Sequence, residues 1–491
     1  MKIMLSSICL ESGTGIQLAL YYLKGYILKF KPQSKVFIEV FTEDKSIPAI
    51  LKKIIESKVQ VIGFSCYLWN IKKTLNICRR LKRINPNLKI ILGGPEVSPR
   101  AEEILTYEKS VDVVVRGEGE ESFVQLISRM SCFGAVDLSG IKGVSFRRSK
   151  EIISNPDRPP LNNIGDIPSP YLSGLVDLKD KNIKDLPLET MRGCVSRCDY
   201  CYYHKNFPLV RYFALSRVEE ELKLILSHKP HEVYLMDATF NSNPQRAKEI
   251  LKIFTRNNQG TNLHVELKAE LVDEEMASLL SEAGAYNIEI GIQSTNIQTL
   301  KAINRVFDKK KFIKGIRCLN KYKLYYEIQL IDALPYQSYE GLLKTLDWLY
   351  AMHPAKVVIF RLGVLAGTAL RDKAISFGIE YDHCAPYLAY KSNAMNHEDV
   401  KKVEKLSYAM DRLYDSFVFQ KTLYAFKKKT KVKISAILED WVAWESRFKR
   451  PPADYPQFLN KKSPMFLQYL CRKHSKTSLY KELLPGLLKR L

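Results

Sequence analysis

The 491 residues include 46% hydrophobic, 11% aromatic and 26% charged side chains with 23 Gly and 22 Pro, a folded composition that excludes disordered, collagenous and disulfide-scaffold classes. At roughly 100 to 200 residues per domain, the length predicts two to four domains. The 76 Lys+Arg against 53 Asp+Glu leave a net charge of +23, which points to an acidic partner such as nucleic acid, a membrane surface or a phosphorylated substrate, or else to a basic proteome background. No stretch approaches the roughly 18 consecutive apolar residues of a membrane span. The apolar start is broken by Ser6 and Ser7, so the chain is read as cytoplasmic and Lys2 to Ile8 as a buried strand rather than a signal peptide.

Over residues 1–135, short β-branched runs alternate with helical patterns such as Ile71 to Ile84. Lys2 to Ile8, Val36 to Thr42, Val59 to Ser65, Lys89 to Leu92 and Val111 to Val115 predict parallel strands of a doubly wound, Rossmann-like α/β sheet. Ligands bind beyond the carboxyl ends of such strands, where Glu11 to Gly15, Ser65 to Asn70, Gly93 to Pro95 and Gly117 to Glu120 lie. Those glycines serve close approach to a ligand or ordinary turns. Residues 136–187 are read as a hairpin, Gly143 to Arg148 with Glu151 to Ser154, and a linker punctuated by Pro156, Pro159, Pro160, Pro168, Pro170 and Pro187.

A second βα alternation is predicted over 188–395. Its strands are Leu188 to Arg192, Glu232 to Met236, Leu263 to Lys268, Tyr286 to Gly291, Tyr325 to Ile331 and Val357 to Leu365. Six such units suit a complete or partial TIM-type barrel with its site at the carboxyl ends of the strands. Residues 396–491 show helical periodicity alone, from Val400, Val403 and Leu406 to Phe426, and are read as a helical C-terminal domain. Positions 401–491 hold 21 Lys+Arg and 8 Asp+Glu, so +13 of the +23 sits in this tail. It is either a solvated cap or a surface that recruits an acidic substrate or partner.

Of the cysteines at 9, 66, 78, 132, 194, 198, 201, 318, 384 and 471, seven are scattered as buried cytosolic thiols are. Cys194, Cys198 and Cys201 form Cys-x3-Cys-x2-Cys just after the first predicted barrel strand, a pattern chance produces about 0.004 times in such a chain. Zinc would require a fourth protein ligand, and His204, the nearest further donor, is read as a surface imidazole. Three thiolates point instead to a [4Fe-4S] cluster with one open iron.

At these residues the sequence resembles the radical S-adenosylmethionine superfamily, whose signature is Cys-x3-Cys-x-aromatic-Cys, matched by Cys194, Cys198, Tyr200 and Cys201. The resemblance implies that the open iron binds the amino and carboxylate groups of S-adenosylmethionine and that the reduced cluster cleaves it to a 5'-deoxyadenosyl radical. Asp237, Ala238 and Thr239 stand where members carry a Gly-Gly-Glu-like segment, so Asp237 and Thr239 are cofactor contacts or part of a simple turn. Glu289 to Ser294 is close to the Glu-x-Gly-x-Gln-Ser pattern of several subfamilies. There Glu289, Gly291 and Gln293 approach the adenosyl group or serve core packing. Glu266 and Lys268, two apart on one strand, are taken as a polar pair near the ribose.

An α/β domain ahead of such a barrel resembles the cobalamin-binding, class B radical enzymes, and the C-terminal region resembles the uncharacterised helical domain of one subgroup. The implied cobalamin contacts are Ser65, Gly93 and Gly94 along the nucleotide tail, Gly117 and Glu118 near the corrin edge, and Ser12, Gly13 and Tyr67 beside them. The Asp-x-His-x-x-Gly loop that donates a cobalt ligand in many cobalamin proteins is absent, as it often is in this class. The resemblance implies a methyltransferase acting on an unactivated carbon through methylcobalamin. The alternatives are cyclisation, rearrangement or oxidation without methyl transfer, or a basic RNA-binding protein with a structural metal site. Expected partners are a small-molecule or peptide substrate and an electron donor of flavodoxin or ferredoxin type, with nucleic acid not favoured. Gln329, Asp332, Arg361, Tyr387 and Tyr390 either meet the substrate or are solvated and core-edge residues.

Overall fold

Parallel strands buried on both faces need apolar residues of both parities, and the first five strands have them. In the computed structural model, which describes residues 1–10, 16–130, 137–415, 417, 419–447 and 455–490, these are β1 (Lys2–Cys9), β2 (Lys35–Thr42), β3 (Val61–Ser65), β4 (Lys89–Gly93) and β5 (Val113–Val115). They pair in parallel in the order β2-β1-β3-β4-β5. Ile3, Leu5, Val61 and Ile91 pack one face with helices Leu18–Phe30 and Glu120–Met130. Met4, Ile62, Phe64 and Ile90 pack the other with helices Ile47–Glu56, Ile71–Ile84 and Ala101–Tyr107. The predicted hairpin, β6 (Val144–Arg148) and β7 (Glu151–Ser154), is not a free connector. It extends this sheet antiparallel from β5, covering what would otherwise be an exposed edge.

The second sheet contains β8 (Asp185–Leu188), β11 (Glu232–Leu235), β12 (Asn262–Glu266), β13 (Ala285–Gln293), β14 (Tyr326–Asp332) and β15 (Lys356–Arg361). All neighbours are parallel in the order β15-β14-β13-β12-β11-β8, an open six-stranded barrel. The first of these strands lies earlier than the expected Leu188 to Arg192. Pro187 is tolerated because β8 is an edge strand and needs no second ladder donor. Met191–Arg192 leaves the sheet as β9 and pairs antiparallel with β10 (Arg211–Tyr212).

Burial alternates along β11 to β14. Val233, Leu235, Leu263, Val265, Ile288, Ile290, Ile328 and Leu330 face the surrounding helices and are buried. The lumen positions Tyr234, His264, Glu266, Glu289, Glu327 and Gln329 are half-buried and polar. Helices His397–Met410, Gln420–Thr430, Ile434–Glu445, Tyr455–Lys473 and Ser478–Leu488 pack around Phe426, Trp441 and Phe466. They join the barrel where Asp347 accepts from the amide and hydroxyl of Ser435 at 3.1 and 2.8 Å. Among the described residues no helix is long and apolar enough to cross a membrane.

The lumen layer is tied together by hydrogen bonds. His264 Nε2 lies 2.8 Å from Glu289 and its Nδ1 3.4 Å from Glu232. Gln329 donates to Glu289 at 2.6 Å and to Glu327 at 2.9 Å. Burial opposes charge on His264, and the two carboxylates overcome it, lifting the imidazole to about 9. This lies above the value of about 6.5 for an unfolded chain, so the stabilisation is fully present below that pH and is lost as pH rises through about 9. The urea midpoint of His264→Gln therefore lies below wild type at pH 6, and the gap closes by pH 9.5. A gap that stays constant across this range contradicts the assignment.

Candidate active site

The chain reaches the three cysteines through a turn imposed by Asp237. This carboxylate is fully buried at the end of β11 and accepts from the amides of Thr190 at 2.8 Å and Met191 at 3.1 Å, and from the Thr190 hydroxyl. Burial pushes it up to about 7 against those hydrogen bonds. Its oxygens hold the root of the loop. Thr239, two residues on, does reach the loop, with Oγ1 3.6 Å from Cys194 Sγ. The Ser196 amide approaches the same sulfur at 3.4 Å.

Cys198 is buried and Cys194 and Cys201 half-buried, all three as free thiols. Burial pushes Cys201 up to about 11, with the amides of Tyr203 and His204 working against it, and a bound metal would release that proton. Among the described residues no three thiol, imidazole or carboxylate groups converge on one ion. Thiols spread around a loop fit a cluster that gives each its own iron better than they fit a single zinc. Burial opposes charge on His204, lowering it, and Lys205 and Arg197 add to that.

Arg305, which the motif reading missed, closes the inner side of this loop. One Nη1 lies 3.4 Å from both Cys198 Sγ and Tyr200 Oη, and Nη2 donates to the Gly291 carbonyl. Its Nε is buried without a partner. Burial works against the charge, and Tyr200 and Cys198 restore it. Gln293 turns back over Gly291 so that its Nε2 would stand 2.6 Å from any Cβ there, and its Oε1 is also buried and unpartnered. The two unmet polar atoms, one of them on the arginine that touches Cys198, suit a polar group.

The remaining predicted contacts divide. Glu289 belongs to the lumen layer with His264, and Glu266 accepts from Tyr234 Oη at 2.7 Å. The Lys268 backbone is pinned on both sides by Asn241, at 2.9 Å each, a buried residue the sequence did not single out. Asp332 and Arg361 pair with each other at 2.8 Å, and Tyr387 is buried against Glu96 and Arg100. Tyr390 stacks on His397 near the surface.

A cavity of about 700 Å³ opens between the carboxyl ends of β3 to β5 and the β8 and β11 side of the barrel. Ser65, Tyr67, Gly93, Gly94, Gly117 and Glu118 all line it, together with Arg192, Tyr234 and His264 from the barrel half. Ser12 and Gly13 lie outside the described residues. Gly94 has φ +107°, and a Cβ there would stand 2.6 Å from the Cys66 carbonyl oxygen, so no side chain fits. Leu5, Ile91, Leu92 and Phe123 make much of the lining apolar. Glu118 is not free at the rim: it accepts from the Leu161 amide at 2.8 Å and is bridged by both Arg211 Nη atoms. An apolar cavity floored by glycine backbone fits a large cofactor held by packing and main-chain contacts.

The B12 binding domain family matches residues 13–127 and the Radical SAM superfamily matches residues 188–349. The uncharacterized methyltransferase PH0819 of Pyrococcus horikoshii is 25% identical over 340 residues, covering 68% of this chain and 73% of that protein. The cobalamin-dependent radical SAM methyltransferase TokK of Streptomyces tokunonensis is 31% identical over 193 residues, 38% of this chain but only 28% of TokK. The fold superposes on the cobalamin-dependent S-adenosylmethionine radical enzyme OxsB, bound to aqua-cobalamin and S-adenosylmethionine, with TM-score 0.69 and 18% identity, covering all of this chain and 78% of that one. The chain thus carries a B12-binding domain ahead of a radical S-adenosylmethionine domain.

Proposed function

We propose that this enzyme methylates an unactivated carbon of a small-molecule or peptide substrate. The observation that carries the reading is a cavity lined on one side by the glycine loops of the B12-binding domain and on the other by barrel residues that include Arg192, two residues before Cys194. When bound, the cluster supplies the electron that cleaves S-adenosylmethionine, and cobalamin supplies the methyl group.

The chain's own residues bind, orient and exclude water. Cys194, Cys198 and Cys201 hold the iron, and Thr239 and the Ser196 amide approach the Cys194 sulfur. Arg305 sets a fixed cation against Cys198 and offers its unpartnered Nε to a carboxylate. Gln293 offers its free Oε1 to a donor such as an adenine amine. Ser65, Gly93 and Gly94 give the nucleotide tail a close backbone approach with Tyr67 beside them, Gly117 approaches the corrin edge, and the apolar lining keeps water from the corrin face. An external flavodoxin- or ferredoxin-type protein supplies the electron. Free thiols at all described cysteines suit a reducing cytoplasm.

Anaerobic holoenzyme supplied with deuteromethyl S-adenosylmethionine is expected to form both 5'-deoxyadenosine and S-adenosylhomocysteine. Formation of 5'-deoxyadenosine alone favours cyclisation, rearrangement or oxidation without methyl transfer. Cys198→Ala abolishes iron binding and both products while cobalamin binding persists; retained cleavage would place the cluster elsewhere. Gly94→Ala destabilises the fold by about 2 kcal/mol or more through its clash with Cys66 and weakens cobalamin binding with the iron content intact, read by thermal unfolding and cobalt analysis.

A further inference from the structure

Building on that reading, we propose that Arg192 is a positioning residue that holds the three-cysteine loop in register with the cavity of the B12-binding domain. It stands two residues before Cys194, lines the cavity and is 4% exposed. From the first domain, Glu120 lies 2.8 Å and Glu118 3.7 Å from its Nη1. From the barrel, both oxygens of Glu189 lie 3.1 Å from its Nε. The planar cation also sits near a ring from each side, 5.3 Å from the Tyr22 centroid and 5.5 Å from that of Phe207. One side chain therefore touches both halves of the cavity wall.

Its neighbours make the arrangement stiff. Arg211, on the strand paired with Met191–Arg192, bridges Glu118 and donates to the Leu161 carbonyl at 2.7 Å. Two guanidinium groups and three carboxylates thus interlock across the domain boundary. Burial works against the Arg192 charge, and Glu120, Glu189 and Glu118 keep it on. The cysteine loop has its own anchors in Asp237 and Arg305, and the glycine loops have theirs in Cys66. Arg192 adds what those anchors lack: it sets the distance and angle between the two sites. Lysine cannot replace it fully, because a point charge lacks the planar fork that meets carboxylates on two sides at once.

The test uses Arg192→Gln, Arg192→Lys and Glu120→Gln in reconstituted enzyme. Arg192→Gln is expected to keep its iron content and to lose far more S-adenosylhomocysteine than 5'-deoxyadenosine. Its ratio of S-adenosylhomocysteine to 5'-deoxyadenosine falls at least tenfold, and pulsed EPR shows a shifted or broadened distance between cob(II)alamin and the reduced cluster. Arg192→Lys recovers part of the ratio. Glu120→Gln, which leaves Glu189 in place, shifts the same ratio and decides the matter if Arg192→Gln does not fold. Loss of both products in proportion to metal content, or an unchanged ratio and distance, overturns the proposal. If wild type forms no S-adenosylhomocysteine, the methyl-transfer reading fails, while the EPR distance still decides the role of Arg192.

Discussion

A carboxylate buried at the end of the second barrel strand governs the geometry of the site. The hydrogen-bond partners of Asp237 are the amides of Thr190 and Met191 and the Thr190 hydroxyl. A buried carboxylate is costly unless its lone pairs are filled, and the nearest donors are those freed where β8 ends. Filling them pulls Met191 and Arg192 out of the sheet and into the ribbon with Arg211 and Tyr212. That departure aims Cys194 inward and puts Arg192 on the cavity wall. The cysteine loop, the domain contact and the cavity rim all follow from where one strand stops.

The two halves of the molecule solve burial differently, and the difference matches their tasks. The first sheet is apolar on both faces, and its cavity is floored by backbone at Gly93, Gly94 and Gly117. The barrel is apolar only outward, and its lumen carries a bonded layer of Glu, His and Gln side chains. Packing selects shape on one side, while fixed charge and hydrogen bonds orient polar groups on the other.

Much of the fold was legible because β-branched runs and helical spacing are local signals. The strands of both sheets fall within a few residues of their predicted places, apart from the first barrel strand, which starts at Asp185 because an edge tolerates Pro187. The Cys-x3-Cys-x2-Cys loop and the six described glycine-loop positions were legible from spacing and from where parallel strands end. What escaped depends on partners far apart in sequence. Asp237 read equally as a cofactor contact or part of a turn because its partner Thr190 lies 47 residues away, Arg305 is 107 residues from Cys198, and the hairpin's pairing with β5 leaves no mark on its own composition. Glu289 fitted a motif, yet its oxygens are engaged by His264 and Gln329.

One chain with a B12-binding domain and a radical S-adenosylmethionine domain is expected to hold cobalamin and an iron–sulfur cluster together. Anaerobic reconstitution with iron, sulfide and hydroxocobalamin, followed by metal analysis of the desalted protein, tests it most directly. The reconstituted protein is expected to hold roughly four iron ions per chain together with cobalt in equal amount to the protein. Iron without retained cobalt would contradict it.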